Sequence, residues 1–528
     1  MTNMKLSAEV IHLLLKTGVR EFCICAGARN SPLIETFYKN PFIKIYHFFE
    51  ERSAAFFALG RIASTRRPVA VVTTSGTSVA EILPAAVEAT YSSLPLVIIS
   101  ADRPKSYRGT GSPQTIEQVG LFSYYIEACF DLDEENTHFS LKGLSWRKPI
   151  HVNICFTEPL IDQEAIELHA PLTEERIKFP ETFPLNMVDE IQKFCEAQRP
   201  IVILSTLPEK SKQSVLTFLK LLKAPIYAEG ISGIKNHPEI KDLMIQSGEM
   251  MVNYLLDNKI CNAVLRIGGV PTCRTWRDLE DKRKDLPVLS IGFNHFTGVS
   301  REITHYTDID DLSRVYIDPV KIEPKEYQNK DKKNRGELLR LFQKYPKSEP
   351  AMIHALSRLM KDKRVYLGNS LPVRMWDLAA DEDLIPKNVV GNRGANGIDG
   401  QLSTFLGWSQ KGEGNWAIVG DLTAMYDLPS LWITNQLDAE DINIVVINNK
   451  GGMIFKRIFN KNIFLNRHQI QFKSWADMWG WKYENWTEIP QTVTSGVQRI
   501  IEVNPEEEQT ASPATTSMVI VGAAMSSV

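Results

Sequence analysis

Short apolar runs, rich in β-branched residues, alternate with helical stretches near the start of this chain, and the same grammar returns near its end. The first set reads "FCICAG" from Phe22, "KIYHFF" from Lys44, a helix from about Glu51, "PVAVVTTSG" from Pro68, a helix from about Val79, and "LPLVIISAD" from Leu94. The last set reads "RVYLGNS" from Arg364, "NVVGNRG" from Asn388, "NWAIVGD" from Asn415, a helix through "LPSLWITNQL", and "INIVVINNK" from Ile442. Between them lie "RPIVILS", "APIYAEG", "AVLRIGG" and "PVLSIG". Runs without polar alternation suit strands buried on both faces, which means parallel sheets covered by helices. The chain is therefore predicted to be α/β throughout, in three doubly wound parts.

A length of 528 residues agrees, since domains average roughly 150 residues. The stretch 180–184 reads as the linker into the middle part, and lysine-rich "PKEYQNKDKKN" from Pro324 as the linker out. The expected divisions are 1–180, 185–325 and 340–528. The tail after Pro505 is low in complexity and ends in an apolar run too short to span a bilayer.

A net charge of −3 offers no general attraction for nucleic acid or anionic membranes. The seven cysteines are scattered and form no CxxC pair, which points to a reducing compartment. The first twenty residues read as an amphipathic helix and not as a signal peptide. No apolar run approaches the roughly 20 residues of a membrane span, so a cytoplasmic location is expected.

In open parallel sheets, ligands lie beyond the carboxyl ends of the strands. Polar residues follow eight of the strands here: Arg29, Glu51, Ser75 to Thr77, Arg103, Ser370 with Arg374, Arg393, Asp421, and Asn448 with Asn449. One such residue alone is usually a cap or turn former; so many together favour a site. Asp421, Asn449 and a carbonyl at Gly451 would form an oxygen-only set, suited to a Mg²⁺ ion that takes its other ligands from water and phosphate. Taken alone, the same residues suit a helix cap followed by a loop about as well.

"VGDLTAMYDL" followed by "VVINNKGGMIF" resembles the pyrophosphate and Mg²⁺ motif of thiamine-diphosphate enzymes, with Leu422 in place of the motif's second glycine. That departure is similar to one branch, the menaquinone-pathway synthases known as MenD. "GARNSPL", "FEERSAAFFALG", "TTSGTSVAE", "SADRP", "GNSLPVR" and "NRGANGIDGQLST" resemble that branch's blocks, in its order.

The resemblance implies the thiamine-diphosphate-binding, pyruvate decarboxylase-like fold: a pyrimidine-binding domain (1–180), a central α/β domain (185–325) and a pyrophosphate- and Mg-binding domain (340–528), assembled at least as a homodimer or dimer of dimers. It implies a transferase that decarboxylates 2-oxoglutarate on thiamine diphosphate and adds the succinyl-semialdehyde carbanion equivalent to isochorismate. Mg²⁺, or Mn²⁺, would be held by Asp421, Asn449 and Gly451. Glu51 matches the glutamate that hydrogen-bonds the cofactor's pyrimidine across the subunit interface and so drives proton removal from the reactive carbon. By spacing alone, Glu50 and Glu51 serve equally well as first-turn helix acids.

Further cofactor contacts are implied at Ser75, Gly76, Thr77, Ile398, Asp421, Asn449, Ile454 and Phe455. Ser370, Arg374 and Arg393 match positions that hold the succinyl carboxylate, and Arg29, Arg103 and Gln114 match positions on the isochorismate side. Guanidinium groups suit such carboxylates. Arg274 matches one of two adjacent basic residues from the central domain. Ala28, Pro113 and Thr275 depart from the branch's pattern of serine, asparagine and a second basic residue.

Other features are decoys. "GEGNWA" precedes its strand, whereas a dinucleotide loop follows one. His47 reads as a satisfied core histidine, and Cys23 and Cys25 as small core residues. Two other readings stay open: a thiamine-diphosphate carboligase acting on another 2-oxoacid such as pyruvate, which would need fewer arginines, and a non-catalytic scaffold, which would have no need of Glu51, Asp421 and Asn449.

Overall fold

A computed structural model describes residues 1–170, 185–383, 385–456, 458–459 and 461–511. The expected linker at 180–184 and the end of the low-complexity tail lie outside the described residues. Two compact units emerge: Met1–Glu181 with Asn392–Gly412 and Thr423–Glu440, and Thr182–Gly391 with Glu413–Leu422 and Asp441–Val528.

The first unit is built on β1 (Glu21–Cys25), β2 (Lys44–Phe48), β3 (Val69–Thr73), β4 (Leu96–Asp102), β5 (Ala128–Leu132) and β6 (Ile150–Cys155), in the order β2-β1-β3-β4-β6-β5 and parallel throughout. Every residue of β3 and β4 is buried, as runs without polar alternation predict. Each buried valine or isoleucine contributes about 1.5–3 kcal/mol relative to exposure.

The second unit carries two more parallel sheets. One joins β7 (Pro200–Leu204), β8 (Ile226–Ala228), β9 (Ala263–Ile267), β10 (Val288–Ile291) and β11 (Thr304–Tyr306) in the order β11-β10-β9-β7-β8. The other joins β12 (Arg364–Leu367), β13 (Asn388–Val390), β14 (Asn415–Gly420), β15 (Ile442–Ile447), β16 (Lys482–Trp486) and β17 (Gln498–Val503) in the order β13-β12-β14-β15-β17-β16. Relabelled from its first strand, this order repeats that of the first sheet.

Three readings need correction. The stretch taken as a linker out is continuous helix, Lys325–Lys344. Tyr327, Asp331, Arg335, Leu338 and Phe342 form its buried stripe. Two of the five are charged, which hides the helical period in the sequence. Both charges are satisfied: Asp331 accepts from the Gln246 and Ser247 N–H groups, and Arg335 pairs with Glu382 and donates to the Leu378 and Ala380 carbonyls. Second, the helix through Leu428–Gln436 has 3₁₀ pitch. Third, His47 is exposed, because β2 is an edge strand; its backbone pairs instead with the Gln436 amide. Cys23 and Cys25 are buried, as expected.

Candidate functional site

In the first unit, polar groups converge beyond β1, β3 and β4. Glu50 caps helix Glu51–Thr65 with both carboxylate oxygens, accepting from Arg52 N–H at 3.1 Å and Ser53 N–H at 2.8 Å. The capping role thus falls to Glu50. Glu51 Oε1 lies 3.5 Å from Thr73 Oγ1 at the end of β3. The Cys25 thiol, at the end of β1, is pushed up by burial and next by the Glu51 carboxylate beside it. Glu51 therefore stands at the point where strand order reverses, between β1 and β3.

Arg103 gathers the neighbouring loop. Its Nη1 donates to Ser75 Oγ at 3.2 Å and to the Gln114 carbonyl at 3.0 Å. Gly76, at φ 88°, faces Gln114, and a Cβ there would stand 3.1 Å from the Gln114 Cα. Ser75, Gly76, Arg103 and Gln114 are thus brought together, with Thr77 opening the short helix that follows. Arg29 lies beyond β1, where Nη2 pairs with Glu158 at 3.2 Å and Nη1 donates to the Phe156 carbonyl. Asn30 fixes that turn by accepting from Gly27 N–H and donating to the Cys25 carbonyl.

Behind this loop lies a buried network that sequence reasoning missed. Asn153 donates to Asp102 and Asp131, Arg108 forks onto Asp131, and Gln118 links Asn153 to the Gly76 N–H. The only signal in the sequence was a histidine and an asparagine inside an otherwise apolar strand, β6.

Two buried acids pin the loop that carries Ile398. Glu88 accepts from Gly394 N–H at 2.8 Å and Ala395 N–H at 2.7 Å, with Arg393 close enough to hold its charge; burial nonetheless raises its carboxyl above the usual range. Asp427 accepts from Gly400 N–H and Leu402 N–H, both at 2.8 Å, and burial pushes it up to about 7. Ile398 lies half-buried between these anchors. The following helix, Gln401–Trp408, packs closely on helix Glu51–Thr65: a Cβ on Gly60 would stand 2.0 Å from the Thr404 carbonyl oxygen, and one on Gly407 2.2 Å from that of Phe57.

In the second unit, Asp421 follows β14 and is 2% exposed. Its Oδ1 accepts from Leu422 N–H at 2.7 Å and its Oδ2 from Gly451 N–H at 2.9 Å. Burial raises its carboxyl above the usual range. His468 Nε2 lies 3.2 Å from Oδ2, close but off a hydrogen-bond line. Gly451 takes φ 135°, where a Cβ would stand 2.3 Å from the Leu465 carbonyl oxygen. Ile454 and Phe455 occupy the 3₁₀ turn just beyond.

The two asparagines after β15 separate. Asn448 is structural, donating to Glu502 and to the Ile470 carbonyl. Asn449 donates from Nδ2 to Glu349 Oε2 at 3.0 Å. Buried Asn449 Oδ1 and Glu349 Oε1 have no hydrogen-bond partner. Glu349 is pushed up to about 7 by burial, with the Asp421 charge adding to the effect. Buried acids beside orphaned oxygens are costly unless a cation neutralises them. No group of three His, Cys, Asp or Glu among the described residues is placed to hold a metal. An amide and a carbonyl alongside one carboxylate is instead the donor set a hard divalent ion accepts, so these residues fit a Mg²⁺ diphosphate.

Ser370, at φ 71°, begins helix Leu371–Ala379, and Arg374 Nη1 donates back to its carbonyl at 2.6 Å. Arg374 lines a cavity with Tyr227 of β8, Glu249 at the start of helix Glu249–Asp257, and Thr272 and Cys273 from the loop after β9. Thus the segment carrying Arg274 reaches the cavity of Arg374. Arg274 itself is buried and bonds Asp278 at 2.6 Å, while Thr275 donates to Glu249.

A parallel sheet with an acid at its order reversal, and a second with an oxygen cluster, suit a thiamine-diphosphate-binding enzyme. Consistently, residues 4–121 match the family model described as the thiamine pyrophosphate enzyme, N-terminal TPP binding domain. The chain is 55% identical over 513 residues, 97% of its length and 98% of the relative's, to the 2-succinyl-5-enolpyruvyl-6-hydroxy-3-cyclohexene-1-carboxylate synthase of Bdellovibrio bacteriovorus. Synthases of the same name from Akkermansia muciniphila (34% identity, 93% of this chain and 94% of that one) and Staphylococcus epidermidis (31%, 84% and 82%) also match. The chain belongs to this synthase family.

Proposed function

We propose that this protein is a transferase that decarboxylates 2-oxoglutarate and joins the remaining four-carbon unit to isochorismate, in the cytoplasm, as a step of menaquinone biosynthesis. The observation that carries the reading is the 55% identity to a synthase over 97% of the chain. Residues 1–180 would bind the pyrimidine of thiamine diphosphate, 185–325 form the central domain, and 340–528 bind its diphosphate and Mg²⁺. When bound, the cofactor supplies a nucleophilic carbon and an electron sink for the charge left by departing carbon dioxide.

The chain's own residues do the rest. Glu51 holds a proton against the pyrimidine and moves it; the capping of its helix by Glu50 supports this, since it leaves the Glu51 carboxyl available. Asp421, Asn449 and the Gly451 carbonyl hold the cation, with Ser75, Gly76, Thr77, Ile398, Ile454 and Phe455 as further cofactor contacts. Arg374, Ser370 and Arg393 bind the 2-oxoglutarate side chain. Arg29, Arg103 and Gln114 bind isochorismate, with Arg274 as a further substrate contact. A homodimer, with Glu51 contributed across the interface, is supported by apolar surface near that residue: Phe49 is 58% and Trp432 39% exposed, their rings 5.1 Å apart.

The test is carbon dioxide release from 2-oxoglutarate by purified protein with thiamine diphosphate and Mg²⁺, with and without isochorismate, and with pyruvate as control. Release that requires the cofactor and rises sharply as isochorismate is consumed is the expected result. Release from pyruvate alone would replace this reading with that of a general carboligase.

A further inference from the structure

The group that orients Asn449 is a buried acid far away in sequence. Glu349 is the first residue of helix Glu349–Ser357, only 3% exposed, with its own N–H donated to Thr510 Oγ1 at 2.9 Å. Its side chain is not spent on the helix end; Oε2 instead accepts from Asn449 Nδ2 at 3.0 Å.

An asparagine amide has a donor face and an acceptor face, and which one points where is set by its partners. Glu349 Oε2 accepts from the NH₂, which turns the amide oxygen to the other side. That oxygen, Asn449 Oδ1, is buried without a hydrogen-bond partner. On the chain it follows β15, neighbour to β14, which leads into Asp421. With the amide reversed, an NH₂ would face the cation and Asn449 would cease to be a ligand.

We propose that Glu349 is a positioning residue for the divalent cation: it locks the Asn449 amide with its oxygen outward, so that the ion meets oxygen from Asp421, Asn449 and Gly451. The inference rests on the reading that these three hold the ion. Outer partners that orient metal ligands typically change affinity by about 10–100-fold when removed.

The experiment measures the Mg²⁺ concentration that half-saturates thiamine diphosphate binding, by calorimetry without substrate, alongside the thermal midpoint without metal. Glu349→Ala should raise the half-saturating Mg²⁺ by about 10-fold or more. Glu349→Gln, nearly isosteric, should raise it less, about 3- to 10-fold, because glutamine accepts more weakly and no longer forbids the reversed amide. A residue that only supports the helix would instead lower the thermal midpoint in Glu349→Ala and leave the Mg²⁺ requirement in place. Asn449→Ala separates the two layers of the argument. A raised Mg²⁺ requirement in Asn449→Ala, with wild-type values in the Glu349 variants, overturns the role of Glu349 alone. Wild-type values in all three variants overturn the cation site with it. Should Glu349→Ala not fold, a wild-type value in Glu349→Gln is sufficient to overturn the proposal.

Discussion

The sheet of β1 to β6 and the sheet of β12 to β17 are wound in the same order, so every strand of one has a counterpart in the other. β3 leads into Ser75 and Gly76, where β14 leads into Asp421; β4 runs into Asp102 and Arg103, where β15 runs into Asn448 and Asn449. In each copy the next strand supplies a buried polar anchor: Asn153 on β6 bonds Asp102, and Glu502 on β17 bonds Asn448. The scaffold fixes where a side chain emerges, and the residue just past the strand decides the chemistry. One copy presents guanidinium and amide groups around a glutamate. The other presents oxygen groups and two arginines, Arg374 and Arg393.

The largest effects should separate the two copies cleanly. Glu51→Gln should cut turnover by about 10²–10⁴-fold while leaving the Mg²⁺ requirement of cofactor binding in place, since the residue lies outside the oxygen cluster. Asp421→Ala should instead abolish saturable cofactor binding at millimolar Mg²⁺. Calorimetry with and without Mg²⁺ distinguishes the variants, and equal binding losses in both would collapse the comparison.

Packing comes next. Gly60→Val places a side chain against the Thr404 carbonyl and should destabilise the first unit by about 1–3 kcal/mol, read as a lowered thermal midpoint. The equivalent change at exposed Gly412, where a Cβ meets nothing within 4 Å, tests the strain of φ 72° without a clash.

A smaller effect is one of pH. Asp427 is pushed up to about 7 in the folded chain. Between the usual carboxylate range and that value, the folded state keeps a proton the unfolded state has lost. Its contribution therefore falls as pH rises through this window, by up to about 1.4 kcal/mol per pH unit, and levels off above about 7. Asp427→Asn should flatten this part of the thermal-midpoint profile; an unchanged profile would place the titration elsewhere.

Much of this could be read from residue order. Asp421, Asn449 and Arg103 follow strongly apolar runs, so the strand, its direction and the polar group at its end are all visible. What stayed hidden shares one cause, charge or polarity placed inside the fold. β6 was missed because His151 and Asn153 interrupt the apolar pattern, yet both are buried and bonded. Helix Lys325–Lys344 was missed because Asp331 and Arg335 lie on its buried face. Nothing in their spacing marks out Glu88, Glu349 and Asp427, and all three are buried against distant backbone or amide groups. Spacing leaves Glu50 and Glu51 level and only the resemblance selects Glu51; that Glu50 is the helix cap is visible in the structure and not in the spacing.

The central claim is that the two copies divide the substrates. Apparent KM values for 2-oxoglutarate and isochorismate, measured side by side in Arg374→Ala and Arg103→Ala, test it most directly. The account predicts a crossed result: Arg374→Ala raises KM for 2-oxoglutarate far more than for isochorismate, and Arg103→Ala does the reverse. Equal shifts of both constants in both variants would contradict it.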